Sequence, residues 1–167
     1  LGQFPAPYGS NLYLYIDMAM ENSKSLLKLI KRTKYIHRNL GDKLFIRVVN
    51  ASDIETVSKI KSHGTDNIII DIDYTTKGYK DIILNDIKKM DIGLIMISSK
   101  LFAITALRMC LYESRVPVLK LSNKPFSKLK ESVLILNGNK DLEKISATVF
   151  DISSQLSFNL ELFDFKQ

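Results

Sequence analysis

The feature that most constrains the fold of this chain is a regular alternation of short apolar runs with segments of helical periodicity. The alternation is clearest over residues 91–121, where a helical pattern over Leu101–Ser114 joins the apolar runs Ile92–Ile97 and Val116–Leu121. Near-continuous apolar strands are typical of a parallel sheet that is covered on both faces. This segment therefore predicts a strand, a crossover helix and a second, parallel strand.

The same alternation precedes and follows this segment. We predict further strands at Asn11–Asp17, Lys43–Val49 and Asn67–Ile72, and helices from Asn22 or Ser23 to Gly41, at Asp53–Ser62 and at Tyr79–Lys89. Five strands that alternate with four helices predict an α/β fold, a doubly wound and mostly parallel five-stranded sheet.

After a polar connection the pattern restarts. A strand at Ser132–Leu136, a helix at Asp141–Leu156 and a strand at Phe158–Phe165 predict an additional C-terminal βαβ unit. We therefore divide the chain into a linker-like lead-in (1–10), an α/β domain (11–121), a connection (122–131) and a partial second repeat (132–167).

The amino-acid composition argues against several classes of protein. The 167 residues are 46% apolar, and the net charge of +6 comes from scattered lysines, which indicates a solvated surface and no specific nucleic-acid partner. Cys110 is the only cysteine, so we expect no disulfide and, with only His37 and His63 available, no metal site. No apolar run approaches the roughly 20 residues that span a bilayer.

Candidate site residues follow two of the predicted strands. Ligands of open parallel sheets bind beyond the carboxyl ends of the strands, where Asp17 ends the first strand and Ser98, Ser99 and Lys100 follow the fourth. Neither serine has a histidine partner that the sequence reveals, so we assign no catalytic residue and expect no enzymatic activity.

Three segments carry a resemblance to a known family. They are Tyr15-Ile16-Asp17 with Glu21-Asn22-Ser23 and a later Leu40-Gly41; Gly78 to Leu121, with Asp91, Ser99 and Val116-Pro117-Val118-Leu119; and the restart from Val133 to Phe165. In this order they resemble the universal stress protein family, in a tandem form whose second copy is truncated. The resemblance implies the fold predicted above and a role in stress response.

In that family, ATP-binding members use an aspartate after the first strand near the adenine and a glycine-rich loop for the phosphates. Asp17 matches the aspartate, but Ser98 replaces the first glycine of the loop, and Leu101 and Phe102 follow where close backbone approach is needed. We therefore predict a non-enzymatic regulatory or interaction domain without the usual phosphate loop and without a cofactor. The alternative is a protein that binds ATP or another adenine nucleotide through Asp17, Ser98, Ser99 and Lys100.

The resemblance also implies partners. Family members commonly dimerise through the strand that corresponds to Val116–Leu121, so the candidate contact edge comprises Val116, Val118, Leu119 and Leu121. Either the second repeat covers this edge within the chain, or the edge is open to homo-oligomerisation. Because such domains are often appended to transporters, and this sequence begins with Leu1, we expect a cytoplasmic part of a larger protein, tethered to a membrane through a missing segment.

A second alternative is a phosphoacceptor receiver domain. Asp71 and Asp73 at the third strand would supply the phosphoacceptor, Ser98 or Ser99 the hydroxyl, and Lys120 or Lys124 the lysine. A receiver needs an acidic pair after the first strand to hold Mg²⁺, and Asp17-Met18 supplies one carboxylate only. The simpler interpretation of Asp71 and Asp73 is that they are loop or capping residues.

Overall fold

The predicted alternation of strands and helices is present in the computed structural model, which describes residues 10–40, 42–74, 78–121, 131–136 and 159–164. In chain order the elements are β1 (Asn11–Asp17), α1 (Ser23–Leu40), β2 (Leu44–Val49), α2 (Ile54–Lys61), β3 (Ile68–Ile72), α3 (Tyr79–Lys89), β4 (Ile92–Ser98), α4 (Ser99–Phe102), α5 (Thr105–Ser114), β5 (Val118–Leu121), β6 (Glu131–Leu136) and β7 (Asn159–Asp164). Residues 1–9 of the predicted lead-in, residues 122–130 of the predicted connection and the predicted helix at Asp141–Leu156 lie outside the described residues.

The strands form one sheet in the order β3-β2-β1-β4-β5-β6-β7. The first five are mutually parallel, β6 is antiparallel to β5, and β7 is parallel to β6. Strand order reverses between β1 and β4, the topological switch point at which ligands of such sheets bind. The fold class is therefore the predicted doubly wound α/β fold.

Each face of the sheet has its own apolar core. Leu12, Leu14 and Ile16 of β1 pack with the apolar side chains of α1 and α2, whereas Tyr13 and Tyr15 pack with those of α3 and α5. Alternate side chains of a strand point to opposite faces, so β1 is buried on both of them. This explains why its sequence carries no charged residue from Leu12 to Ile16.

The edge of β5 is covered within the chain. The backbone of β6 pairs with β5, with Val118 opposite Ile135, Leu119 opposite Leu134 and Lys120 opposite Val133. Of the two arrangements that the sequence left open, the structure shows the one in which a strand from the C-terminal segment covers this edge. Val116 precedes the strand and is buried, as are Val118, Leu119 and Leu121.

The apolar pattern of α1 predicts that Arg32 faces water and that Tyr35 is buried, and both predictions are wrong: Arg32 is only 3% exposed and Tyr35 is 38% exposed. The periodicity of the helix explains the burial of Arg32, which lies three residues after Leu29 and four before Ile36, and both of these face the core. Position on the helix outweighs the polarity of the side chain.

The helix predicted at Leu101–Ser114 is divided in two. The Ser98 hydroxyl accepts a hydrogen bond from the Leu101 N–H (3.2 Å) and caps α4, and Ile104 then has an extended backbone before α5 begins. Arg115 ends α5 in the left-handed conformation, with φ of 59°. The described part of the chain contains no helix long and apolar enough to cross a membrane.

Candidate functional site

Asp17 lies at the carboxyl end of β1, beside the switch point, and is almost fully buried. Its Oδ1 accepts hydrogen bonds from the Ala19 backbone N–H and from the Asn50 side-chain amide, both at 2.9 Å. The Tyr79 hydroxyl lies 3.4 Å from Oδ2. The sequence places Asp17 correctly, and the structure adds that protein donors already satisfy most of its hydrogen-bonding capacity.

Two of these donors were not identified from the sequence. Asn50 directly follows β2 with φ of 52°, a left-handed conformation that Asn adopts more readily than most residues. Tyr79 is the first residue of α3. We call the edge of the sheet at which the parallel strands have their carboxyl ends the carboxyl edge. Asn50 directly follows a strand and Tyr79 begins a helix, so the sequence could predict that both lie at this edge. It could not predict that they contact Asp17.

Ser98, Ser99 and Lys100 do not act together. The Ser98 side chain is buried and its hydroxyl caps α4, whereas Ser99 is half-buried and Lys100 is exposed. The cap occupies the Leu101 N–H, one of the backbone donors that an anion would need. The helix that follows has only four residues.

Two tyrosines surround the carboxylate of Asp17. The rings of Tyr15 and Tyr79 meet edge to face with centroids 6.0 Å apart. Burial, and next the charge of Asp17, raise the pKa of both phenols above their ordinary value. At neutral pH both phenols are therefore protonated. The Tyr79 hydroxyl reaches the Asp17 carboxylate, whereas the Tyr15 hydroxyl is buried and has no hydrogen-bond partner among the described residues.

Exposed apolar side chains follow three neighbouring strands at the same edge. Met20 follows β1, Ile54 begins the helix after β2, and Tyr74 follows β3, with exposed fractions of 40%, 84% and 62%. Adjacent strands are about 5 Å apart. We call Met20, Ile54 and Tyr74 the apolar edge. The sequence did not predict this surface, because each of the three residues belongs to a different loop or helix.

The aspartates of the receiver alternative have other partners. Asp71 is the penultimate residue of β3, and its carboxylate pairs with Arg47 at 2.6 Å. The Asp73 backbone bridges neighbouring strand ends through Val48 and Ala51. Lys120 lies over the ring of Phe102, and Lys124 falls outside the described residues. Asp71 therefore belongs to an ion pair on the face of the sheet.

A scan against protein-family models finds no match, and a search of curated proteins finds none either. Within the described ranges, no group of three His, Cys, Asp or Glu side chains is placed to hold a metal ion. The case for a function thus depends on the fold and on the carboxyl edge.

Proposed function

We propose that this chain is a non-enzymatic regulatory or interaction domain of the universal stress protein type, whose carboxyl edge contacts protein instead of the phosphates of a nucleotide. The observation that carries the proposal is the apolar edge. At a ligand site we expect accessible polar groups, but here Asp17 and Ser98 are buried while Met20, Ile54 and Tyr74 are exposed.

The hydrogen bonds of the buried groups support this proposal. A nucleotide group that bonded to Asp17 would compete with the amide of Asn50 and the hydroxyl of Tyr79. A phosphate that used the Leu101 N–H at the start of α4 would displace the Ser98 cap. Each replacement sacrifices a bond that the folded protein already has, which reduces the net gain from binding.

The exposed groups point to a protein partner. Clustered exposed apolar side chains commonly mark contact surfaces. The partner is either another copy of this chain or the rest of a longer protein. In the second case this chain would be a cytoplasmic domain attached to a protein such as a transporter. The resemblance described above supports the second setting.

The alternative is a domain that binds ATP or another adenine nucleotide. The position of Asp17 beside the switch point favours it, and Ser99 and Lys100 are at least partly accessible at the same edge.

Thermal unfolding with ATP, ADP, AMP and cyclic dinucleotides tests both proposals. A ligand present at 100 times its dissociation constant stabilises the native state by about 2.7 kcal/mol, which would raise the midpoint by several degrees. We expect no shift with any of them. A shift that is present in the native sequence and lost in both Asp17→Asn and Lys100→Ala would establish the nucleotide-binding alternative.

Sedimentation over a range of concentrations tests the contact surface. If another copy is the partner, the apparent mass rises with concentration and Ile54→Lys abolishes the rise. Ile54 is 84% exposed, so this change should alter the free energy of unfolding by no more than the roughly 0.5 kcal/mol typical of surface substitutions. The matched control is Lys100→Ala, an exposed change outside the apolar edge, which should leave association intact.

A further inference from the structure

A cavity of about 180 Å³ lies on one face of the sheet, away from the carboxyl edge. Helices α1 and α2 cover the opposite face, and α3 covers the β1 side of this one. Phe45 pairs in register with Ile69, and Arg47 with Asp71, so the four side chains share the face over β2 and β3. The 39% exposure of Ile69 shows that this part of the face is open among the described residues.

One wall of the cavity is a buried ionic network. Arg47 donates to both carboxylate oxygens of Asp86, at 2.8 and 2.7 Å, and to Asp71 at 2.6 Å. The Tyr13 hydroxyl also donates to Asp86, at 2.6 Å. The rest of the lining is mainly apolar and includes Phe45, Ile69 and Met90.

The network carries an excess of negative charge. One guanidinium faces two carboxylates, so the sum is −1 when all three are ionised. Both carboxylate oxygens of Asp86 accept hydrogen bonds from Arg47, and the Asp86 side chain is only 2% exposed. Asp71 uses Oδ2 for Arg47 and is 59% exposed, so the uncompensated charge lies at the mouth of the cavity.

We propose that this cavity binds a small organic cation with an apolar body about the size of one aromatic ring. A cavity of about 150 Å³ lined by apolar side chains accommodates benzene, so the volume fits one ring. The body lies against Phe45 and Ile69, and the cationic nitrogen lies near Asp71, where opposite charges attract. The carboxyl edge takes no part, so this proposal is independent of the function proposed above.

Three probes that differ only in the polar group test the proposal: benzylammonium, benzyl alcohol and benzoate. Binding is followed by nitrogen–proton correlation spectra of the labelled protein. The Arg47 Nε–H signal is the local reporter, because Asp86 fixes this group at the wall of the cavity. Arg108 on α5 supplies a comparison signal away from the cavity.

We expect benzylammonium to shift the Arg47 signal and to bind at least about fivefold tighter than benzyl alcohol, with benzoate weakest. Asp71→Asn should remove the preference for the cation and leave the binding of benzyl alcohol unchanged. Asp66→Asn, an exposed aspartate outside the cavity, is the matched control and should preserve it.

Two results would overturn the proposal. One is an Arg47 signal that does not move with up to about 10 mM benzylammonium, which would mean that the cavity is not a site for this class of ligand. The other is benzoate binding as tightly as benzylammonium, which would mean that the guanidinium, and not Asp71, determines the ligand. Shifts that are as large at Arg108 as at Arg47 would count as the first result.

Discussion

Asp86 anchors α3 to the sheet through three hydrogen bonds, one from Tyr13 and two from Arg47. Its hydrogen bond to Arg47 raises the pKa of the guanidinium further above its already high ordinary value, and the charge of Asp71 acts in the same direction. Arg47 therefore stays ionised in its largely buried position. An ionised group in such a position depends on its partners.

Asp86→Asn should destabilise the protein strongly. The change removes the negative charge and leaves Arg47, whose side chain is 14% exposed, without its buried partner. Breaking a buried ion pair from one side typically costs about 3–5 kcal/mol. The midpoint of urea unfolding measures the loss.

The matched control is Asp71→Asn, because Asp71 binds the same guanidinium from an exposed position. An exposed ion pair contributes about 0–1 kcal/mol, so this variant should unfold close to the native midpoint. Equal losses in the two variants would contradict the assignment of Asp86 as the structural partner.

His63 should make stability depend on pH. Burial, and next the charges of Lys34 and Lys31, lower the pKa of His63 below its ordinary 6.5 in the folded protein. The unfolded chain then binds more protons just below pH 6.5, so the free energy of unfolding falls as the pH falls through this range. Urea unfolding at a series of pH values measures the slope.

His63→Gln removes the titrating group and should flatten this slope. Lys34 Nζ lies 3.1 Å from Nδ1 of His63, and the amide oxygen of Gln can still accept a hydrogen bond from it. A slope that is unchanged in the variant would mean that another group is responsible.

At the scale of elements, α1 begins as its sequence predicts. The Asn22 side chain accepts a hydrogen bond from the Ser25 N–H at 2.8 Å, and so satisfies one of the N–H groups that lack a partner at a helix start. The sequence limited the start of the helix to Asn22 or Ser23, and the structure identifies Asn22 as the cap.

Asn22→Ala should therefore destabilise the protein by about 1 kcal/mol, the typical cost of losing an N-cap side chain. Asn22→Ser keeps an acceptor oxygen and should recover most of the loss. Thermal unfolding of both variants is the measurement, and an alanine variant as stable as the serine variant would mean that the cap contributes nothing.

At the scale of the whole molecule, β6 extends the sheet beyond β5 and so covers an edge that would otherwise be open. A strand with unpaired backbone groups is a template for another chain. The antiparallel pairing of β6 with β5 occupies these groups over Val118–Lys120.

A chain that ends at Leu121 should therefore associate. It retains β1 to β5 but exposes the unpaired backbone groups of β5. Its sedimentation mass should therefore rise with concentration beyond that of the full chain at the same concentrations. A truncated chain that folds and has the same mass as the full chain at every concentration would show that the β5 edge does not drive association.

Much of the fold follows from local periodicity. The strand at Asn11–Asp17 and the helix at Tyr79–Lys89 have the predicted bounds, and the other boundaries up to Ile72 shift by one residue at most. Local periodicity did not predict the break between α4 and α5, because a helical pattern can continue across a residue such as Ile104 whose backbone is extended.

The sequence predicted where the candidate site residues lie, but not whether their polar atoms are already hydrogen-bonded within the protein. Asp17 and Ser98 lie at the carboxyl edge because strand ends are readable from the sequence. Whether their polar atoms are free depends on Asn50 and Tyr79 for Asp17, and on the α4 turn for Ser98. The first two donors are 33 and 62 positions from Asp17 along the chain, so no local pattern contains them.

The sequence by itself determined the α/β class, the parallel order of the early strands and the place of the carboxyl edge, because these depend on periodicity and on the direction of successive strands. Only the tertiary structure decided which groups are satisfied and which surfaces are open. The contact of Arg47 with Asp86 and the pairing of β6 with β5 join segments that are distant along the chain. Their partners are selected by packing in three dimensions, which spacing along the chain does not encode.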